Sequence, residues 1–261
     1  MQWFEMILRR MDNVMRLEYA GKTDTGQVRK TNQDAFCILQ KDDTGLFAVA
    51  DGMGGYENGE KASRKVIAEL SDWWNSFSPV LYDDDFRRML SAIEQRIEYA
   101  NQMIYMEWNR NGVCGTTVTV LFIYREQYGV VYAGDSRCYL GQGKKWEQIT
   151  MDEVWENRTD ISFVERKLKK HPARGKLTNA VGVREHVQCR MITDRILPET
   201  IFLLCTDGLY KFCMDGVIRN YARKGKDKHE IEQVIDDLMA RVYREGAGDN
   251  ITIIIIKCYS A

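Results

Sequence analysis

The sequence predicts an α+β fold, an antiparallel β-sandwich flanked by α-helices, and three observations carry that expectation. Short apolar runs rich in β-branched and aromatic residues arrive in consecutive pairs joined by tight Gly or polar turns, the pattern of hairpins rather than of a regular βαβ alternation. Long amphipathic helical stretches separate these groups of strands, so helices should cover the sheets in layers. The 261 residues contain no Gly/Ser-rich or Pro-rich linker, no repeat and no low-complexity stretch. One compact domain over 1–261 is therefore expected, near the ~200–250 residues that single β-rich domains reach.

The strands expected along the chain are AFCILQ (35–40), LFAVA (46–50), TTVTVLFI (116–123), YGVVYA (128–133), RCYL (137–140), TIFLLC (200–205) and ITIIII (251–256). A helix is expected from about 57 to 74. A longer one follows Asp83, Asp84 and Asp85, with Phe86, Leu90, Ile93, Ile97, Ala100, Ile104 and Trp108 at three- or four-residue spacing. That spacing gathers the apolar side chains on one face, and the acidic triplet suits the positive end of the helix dipole. Ile231, Val234, Ile235, Leu238 and Val242 make a similar stripe from about His229 to Glu245, which stops near Gly246 and Gly248.

Composition excludes several classes. Hydrophobic residues at 44%, aromatics at 11% and only 3 Pro provide a core that a disordered chain lacks. With 37 basic and 38 acidic residues the net charge is −1, so nothing at whole-chain level attracts nucleic acid or an anionic membrane, and neither partner is expected. The 7 cysteines show no CxxC spacing and sit mostly in apolar runs, as reduced buried thiols do. A zinc knuckle or a disulfide framework is not expected, and a cytoplasmic address is. The N-terminal MQWFEMILRRMDNVMR has no long apolar region or small-residue cleavage site, and no stretch approaches the ~18 apolar residues that span a bilayer. The reading is a soluble, unprocessed chain.

Chemistry enters where apolar strands stop. LFAVA runs into Asp51, Gly52, Met53, Gly54 and Gly55. TIFLLC runs into Thr206, Asp207 and Gly208, YGVVYA into Gly134 and Asp135, and Asp249 with Asn250 leads into ITIIII. Asp34 closes the run RKTNQD (29–34) just before AFCILQ. Asp-Gly is also an ordinary turn dipeptide, but independent turns would rarely produce this set. Carboxylates gathered at the end of a sheet repel one another unless cations neutralise them, and an all-oxygen cluster suits Mg²⁺ or Mn²⁺ rather than zinc. The 3 histidines, His171, His186 and His229, are scattered outside any nucleophile or HExxH pattern and read as surface or structural. The glycines do not form a P-loop.

Taken in order, RKTNQD (29–34), DGMGG (51–55), GTT (115–117), GDSR (134–137), LTNAVG (177–182), TDGL (206–209) and DNIT (249–252) resemble the motifs of the type-2C, or PPM-family, metal-dependent serine/threonine protein phosphatases. The likeness runs from about Tyr19 to Lys257 and is nearest the bacterial branch. It implies a four-layer α-β-β-α sandwich with helices on both sides, and Mg²⁺- or Mn²⁺-dependent hydrolysis of phosphoserine and phosphothreonine. Two ions held about 3.5–4 Å apart would activate a bridging water for in-line attack, without a covalent phosphoenzyme.

By the same resemblance Asp51 bridges the two ions, Gly52 lends its backbone carbonyl, and Asp207 and Asp249 bind the first ion. Asp34 orients the metal-bound water, Arg29 clamps the phosphate with its planar fork, and Asp135 is placed to share a weaker third ion with Asp207. Asn32 and Asn250 read as hydrogen-bonding props for the loops rather than ligands. Gln33 stands where many relatives carry Glu. Met53 stands where eukaryotic relatives carry His, so protonation of the leaving alkoxide falls to water or another group. These departures motivate an alternative, a phosphatase-like metal-binding sensor or scaffold with little turnover. Residues 150–177 resemble the family's flap beside the active site; their charges are those of a solvated segment, or Arg166, Lys167, Lys169, Lys170 or Arg174 helps receive a phosphopeptide. The partners implied are a phosphorylated protein substrate and a cognate Ser/Thr kinase, and the chain itself is expected to be a monomer.

Overall fold

The computed structural model describes residues 15–54, 58–108, 114–161, 165 and 171–259. In chain order the elements are β1 (Arg16–Asp24), β2 (Asp34–Lys41), β3 (Thr44–Gly54), α1 (Asn58–Asn75), α2 (Phe86–Trp108), β4 (Cys114–Thr116), β5 (Val118–Tyr124), β6 (Gln127–Ala133), β7 (Arg137–Gln142) and β8 (Lys145–Gln148), followed by β9 (Arg190–Arg195), β10 (Thr200–Cys205), α3 (Asp207–Tyr210), α4 (Asp215–Ala222), α5 (Lys228–Arg244) and β11 (Ile251–Tyr259). One sheet has the order β1-β11-β10-β7-β8 and the other β2-β3-β5-β6-β9, with β4 added to β3. The strand pairings are antiparallel throughout.

Alternation along each central strand builds the layers, because successive side chains point to opposite faces. Ile254 and Ile256 of β11 meet Phe47 and Val49 of β3 and Leu121 of β5 between the sheets, while Ile251, Ile253 and Ile255 pack on Ile231, Val234, Ile235 and Leu238 of α5. On the other side Leu46 and Ala48 of β3 and Val120 and Phe122 of β5 pack on Val66 and Leu70 of α1 and Leu90, Ile93 and Ile97 of α2. Both faces of the middle strands are thus buried, which explains why they read as continuous apolar runs. Each such side chain contributes about 1.5–3 kcal/mol by leaving water. The four layers α-β-β-α follow directly.

The elements differ from the sequence reading in a few places, each with a cause. The run at 116–123 is interrupted at Thr117, whose hydroxyl accepts the backbone N–H of Asp51 at 3.0 Å in place of a ladder carbonyl. β3 does not stop at Ala50 but continues through Asp51 to Gly54, paired with β4. Of the acidic triplet only Asp85 caps α2, accepting the N–H of Arg87 at 2.8 Å; Asp83 and Asp84 adopt left-handed backbone instead, and Asp84 accepts the Tyr124 hydroxyl. α5 begins at Lys228 behind Asp227, whose side chain accepts the N–H of Glu230. All seven cysteines are free, and six are buried. No helix among the described residues is long and apolar enough to cross a membrane.

Candidate active site

The sandwich brings the five aspartates to one end. Asp34 opens β2 directly opposite Asp51 of β3, Asp135 follows β6, Asp207 follows β10, and Asp249 precedes β11. A cavity of about 520 Å³ there is lined by Asp51, Asp135, Asp207 and Asp249 together with Arg29 and Lys211. Asp34 lies just behind it. Its Oδ2 accepts the hydroxyls of Thr206 at 2.8 Å and Thr252 at 2.6 Å, both carried by the opposite sheet, so this carboxylate ties the two sheets together.

The backbone around Asp51 is equally fixed. Thr117 donates its N–H to the Asp51 carbonyl at 2.9 Å, and Thr116 adds its hydroxyl at 3.0 Å. The Thr117 hydroxyl also meets that of Ser136 at 2.7 Å, which links the Asp51 and Asp135 segments. Gly52 has no room for a side chain: a Cβ there would lie 2.1 Å from the Gly59 carbonyl oxygen and 2.5 Å from that of Gln33. Gly54 and Gly134 take positive φ of 141° and 110°, which glycine adopts freely; Gly55 lies outside the described residues. Asn250 staples three loops, donating to the carbonyls of Thr25 and Thr31 and accepting the N–H of Gln33. Asn32 accepts the N–H of Asp34 and donates to Thr23.

The electrostatics are those of crowded carboxylates. Burial, then the charges of Asp34, Asp207, Asp135 and Asp249, hold Asp51 well above the usual carboxylate range. Burial pushes Asp34 up to about 7 against its two hydroxyl bonds, and burial with the Asp207 charge pushes Asp135 up to about 6. Two cations answer them from the chain itself. Arg29 pairs through Nη2 with Asp249 Oδ2 at 2.9 Å, so its guanidinium stands at the cavity bound to a carboxylate. Lys211 pairs with Asp207 Oδ2.

These residues fit a hard divalent cation. Asp34 Oδ1 and Asp207 Oδ1 are buried without a hydrogen-bond partner, an expensive state for a carboxylate oxygen unless a cation meets it, and the donors are all oxygen. As they stand, no three Asp, Glu, His or Cys side chains among the described residues form a ready-made cage; Asp207 and Asp249 each have one oxygen engaged by Lys211 or Arg29.

Residues 25–252 match the sequence model of the family described as Protein phosphatase 2C. The chain belongs to the protein phosphatase 2C family. The serine/threonine phosphatase stp of Listeria welshimeri is similar to this phosphatase at 28% identity over 243 residues, covering 90% of this chain and 94% of that one. Among solved structures, PppA, described as a key regulatory component of T6SS in Pseudomonas aeruginosa, is similar at 30% identity and a TM-score of 0.77, over 95% of this chain and 100% of that one. The catalytic domain of PstP, solved in complex with 2 manganese ions, is similar at 27% identity and a TM-score of 0.73, over 94% of this chain and 99% of that one.

Several contributors to this phosphatase's site had no role assigned from the sequence. Thr206 and Thr252 hold Asp34, Tyr210 donates to Asp135, and Lys211 meets Asp207. Asn101, fully buried on α2, accepts the N–H of Gly182 at 2.6 Å and donates to the carbonyls of Arg184 and Glu185, pinning the LTNAVG turn. A buried-face asparagine in an otherwise apolar stripe was the one available signal. Of the flap candidates, Arg174 is exposed near Glu156, and Arg166, Lys167, Lys169 and Lys170 lie outside the described residues. His171 stacks on Trp155 at 3.8 Å and His186 meets Glu98, both away from the aspartates.

Proposed function

We propose that this phosphatase hydrolyses phosphoserine and phosphothreonine in proteins with two Mn²⁺ or Mg²⁺ ions, as one catalytic unit spanning 1–261. The observation that carries the reading is a cavity lined by Asp51, Asp135, Asp207, Asp249 and Arg29, with the partnerless Oδ1 of Asp207 at it and that of Asp34 just behind. Asp51, the carbonyl of Gly52, Asp207 through its open Oδ1, and Asp249 would hold the ions. When bound, such a pair lowers the pKa of water and neutralises phosphate charge.

The chain's own part is orientation. Asp34, fixed through Oδ2 by two hydroxyls, keeps Oδ1 to orient the attacking water and accept its proton. Arg29 exchanges Asp249 for a phosphate oxygen pair, which its fork fits. As the new P–O bond forms opposite the departing side-chain oxygen, that oxygen must take up a proton. Met53 carries a thioether that cannot donate one, so the proton comes from water or another group. The names borne by the relatives support Ser/Thr substrates, and a kinase that makes those phosphoproteins in the same cell is the partner proposed. Free buried thiols support a cytoplasmic address.

The test is release of phosphate from phosphothreonine and phosphoserine peptides by the full chain with and without Mn²⁺. Mn²⁺-dependent release is expected. A folded, metal-loaded chain that releases none from either peptide sinks the reading in favour of a binding role.

A further inference from the structure

One edge of the acidic cavity already carries a covalent cation. Lys211 lies four residues beyond Asp207, and its backbone N–H donates to the Asp207 carbonyl at 3.0 Å, so one turn of helix folds its ammonium back onto Asp207 Oδ2. The other oxygen of Asp207 faces inward without a partner. Asp135, across this edge, takes the Tyr210 hydroxyl on its Oδ2 at 3.2 Å and on its carbonyl at 3.1 Å. The Tyr210 ring is itself fixed by the Arg137 guanidinium 3.5 Å from its centre, and Arg137 is clamped by Asp152 at 2.7 Å.

Lys211 pairs with Asp207 and lines the same cavity as Asp135. A tethered ammonium supplies counter-charge at any dilution, and a divalent ion arriving at the same edge must displace it or meet its repulsion.

We propose that Lys211 is the built-in counter-cation of the Asp135–Asp207 edge, leaving Asp207 Oδ1 for the two-ion centre and closing the edge to a third divalent ion. The inference rests on the two-ion reading above. It separates two uses of one aspartate, with Oδ1 serving an exchangeable metal and Oδ2 a permanent side chain.

The test counts Mn²⁺ ions bound to the full chain by calorimetry and by electron paramagnetic resonance of free Mn²⁺. Wild type should saturate at two ions. Lys211→Met should bind a further ion at least ~tenfold more tightly than wild type does, the scale of one charge removed at a half-buried site. Lys211→Arg should restore the wild-type count, and Asp135→Asn placed on Lys211→Met should remove the added ion. Lys211→Gln provides the same measurement if the Met variant does not fold by circular dichroism. Three ions of similar affinity in wild type and variants, or an added ion that survives Asp135→Asn, overturns this inference alone. Wild type that binds no Mn²⁺ overturns the two-ion reading and this inference with it.

Discussion

Replacing Gly52 with Ala tests whether close backbone approach, rather than a side chain, defines the floor of the site. The new Cβ would meet the Gly59 carbonyl oxygen at 2.1 Å and the Gln33 carbonyl oxygen at 2.5 Å, where ordinary contact begins near 3.4 Å. Both obstacles are backbone, so no rotamer change relieves them. The Gln33 carbonyl is also held in place by the Gly52 N–H at 3.1 Å and the Ser63 hydroxyl at 2.6 Å. Reaching ordinary contact with Gly59 requires a shift of about 1.3 Å between β3 and the start of α1, and overpacking of this kind costs about 1–3 kcal/mol. In a chain of this size that lowers Tm by about 2–4 °C per kcal/mol. A misplacement of about 1 Å costs ~100-fold in rate, so kcat/KM should fall by about two decades while the protein stays folded. The assay is phosphate release from p-nitrophenyl phosphate in saturating Mn²⁺, with thermal melts alongside. Gly216→Ala is the control: nothing lies within 4 Å of its Cβ position, and Ala there should be neutral or stabilise α4 by up to ~1 kcal/mol. Wild-type kcat/KM and Tm for Gly52→Ala would refute the steric reasoning.

Asp207→Asn keeps the shape but removes one charge from the cluster and the partner of Lys211; Mn²⁺ affinity should fall at least ~tenfold with the fold intact, and unchanged calorimetric binding would remove Asp207 from the metal centre. Arg29→Ala should lower kcat/KM by about ten- to 150-fold, the value of a charge-assisted fork of ~1.5–3 kcal/mol. Because Arg29 pairs with Asp249, its loss should leave Mn²⁺ affinity unchanged or tighter, and Arg29→Lys should recover only part of the rate. His186 Nδ1 lies 2.7 Å from Glu98 Oε1. The hydrogen bond and charge of Glu98 raise His186 above 6.5; burial would raise Glu98, but the Val187 N–H, His186 and Gln102 hold it below 4.5. The pair therefore stabilises fully between those ordinary values. Its contribution is lost as pH rises through the raised His186 pKa or falls through the lowered Glu98 pKa. The Tm gap between wild type and His186→Ala should peak near pH 5–6 and close on the alkaline side; a gap independent of pH would contradict the pairing.

What was legible in the sequence follows from burial. The central strands β3, β5, β10 and β11 are covered on both faces, so their apolar runs announced them. Of the strands that went unread, β1, β8 and β9 lie at sheet edges, where exposed sequences such as RMITDR in β9 carry little periodic signal, and β4 is a three-residue strand that the expected run touched only at Thr116. The aspartates were legible because they interrupt buried strands. Their supports were not, because the hydroxyls on Asp34 come from residues 172 and 218 positions away and a threonine in a β-rich run is ordinary in itself. Arg29 was legible as a member of the RKTNQD motif, whereas its pairing with Asp249 depends on a contact across 220 residues. Lys211 lies two residues beyond the TDGL motif, yet only the helical turn of α3 aims it at Asp207.

The double hydroxyl grip on Asp34 has a mechanical consequence. It fastens β2 of one sheet to the ends of β10 and β11 of the other, so the site doubles as a rivet through the sandwich. Sliding one sheet over the other would break both hydroxyl bonds to this carboxylate. A cation that binds only the assembled end therefore strengthens the whole sandwich by mass action, by about 2.7 kcal/mol at a hundred times its dissociation constant. Cofactor supply then governs how long the folded chain lasts as well as how fast it works.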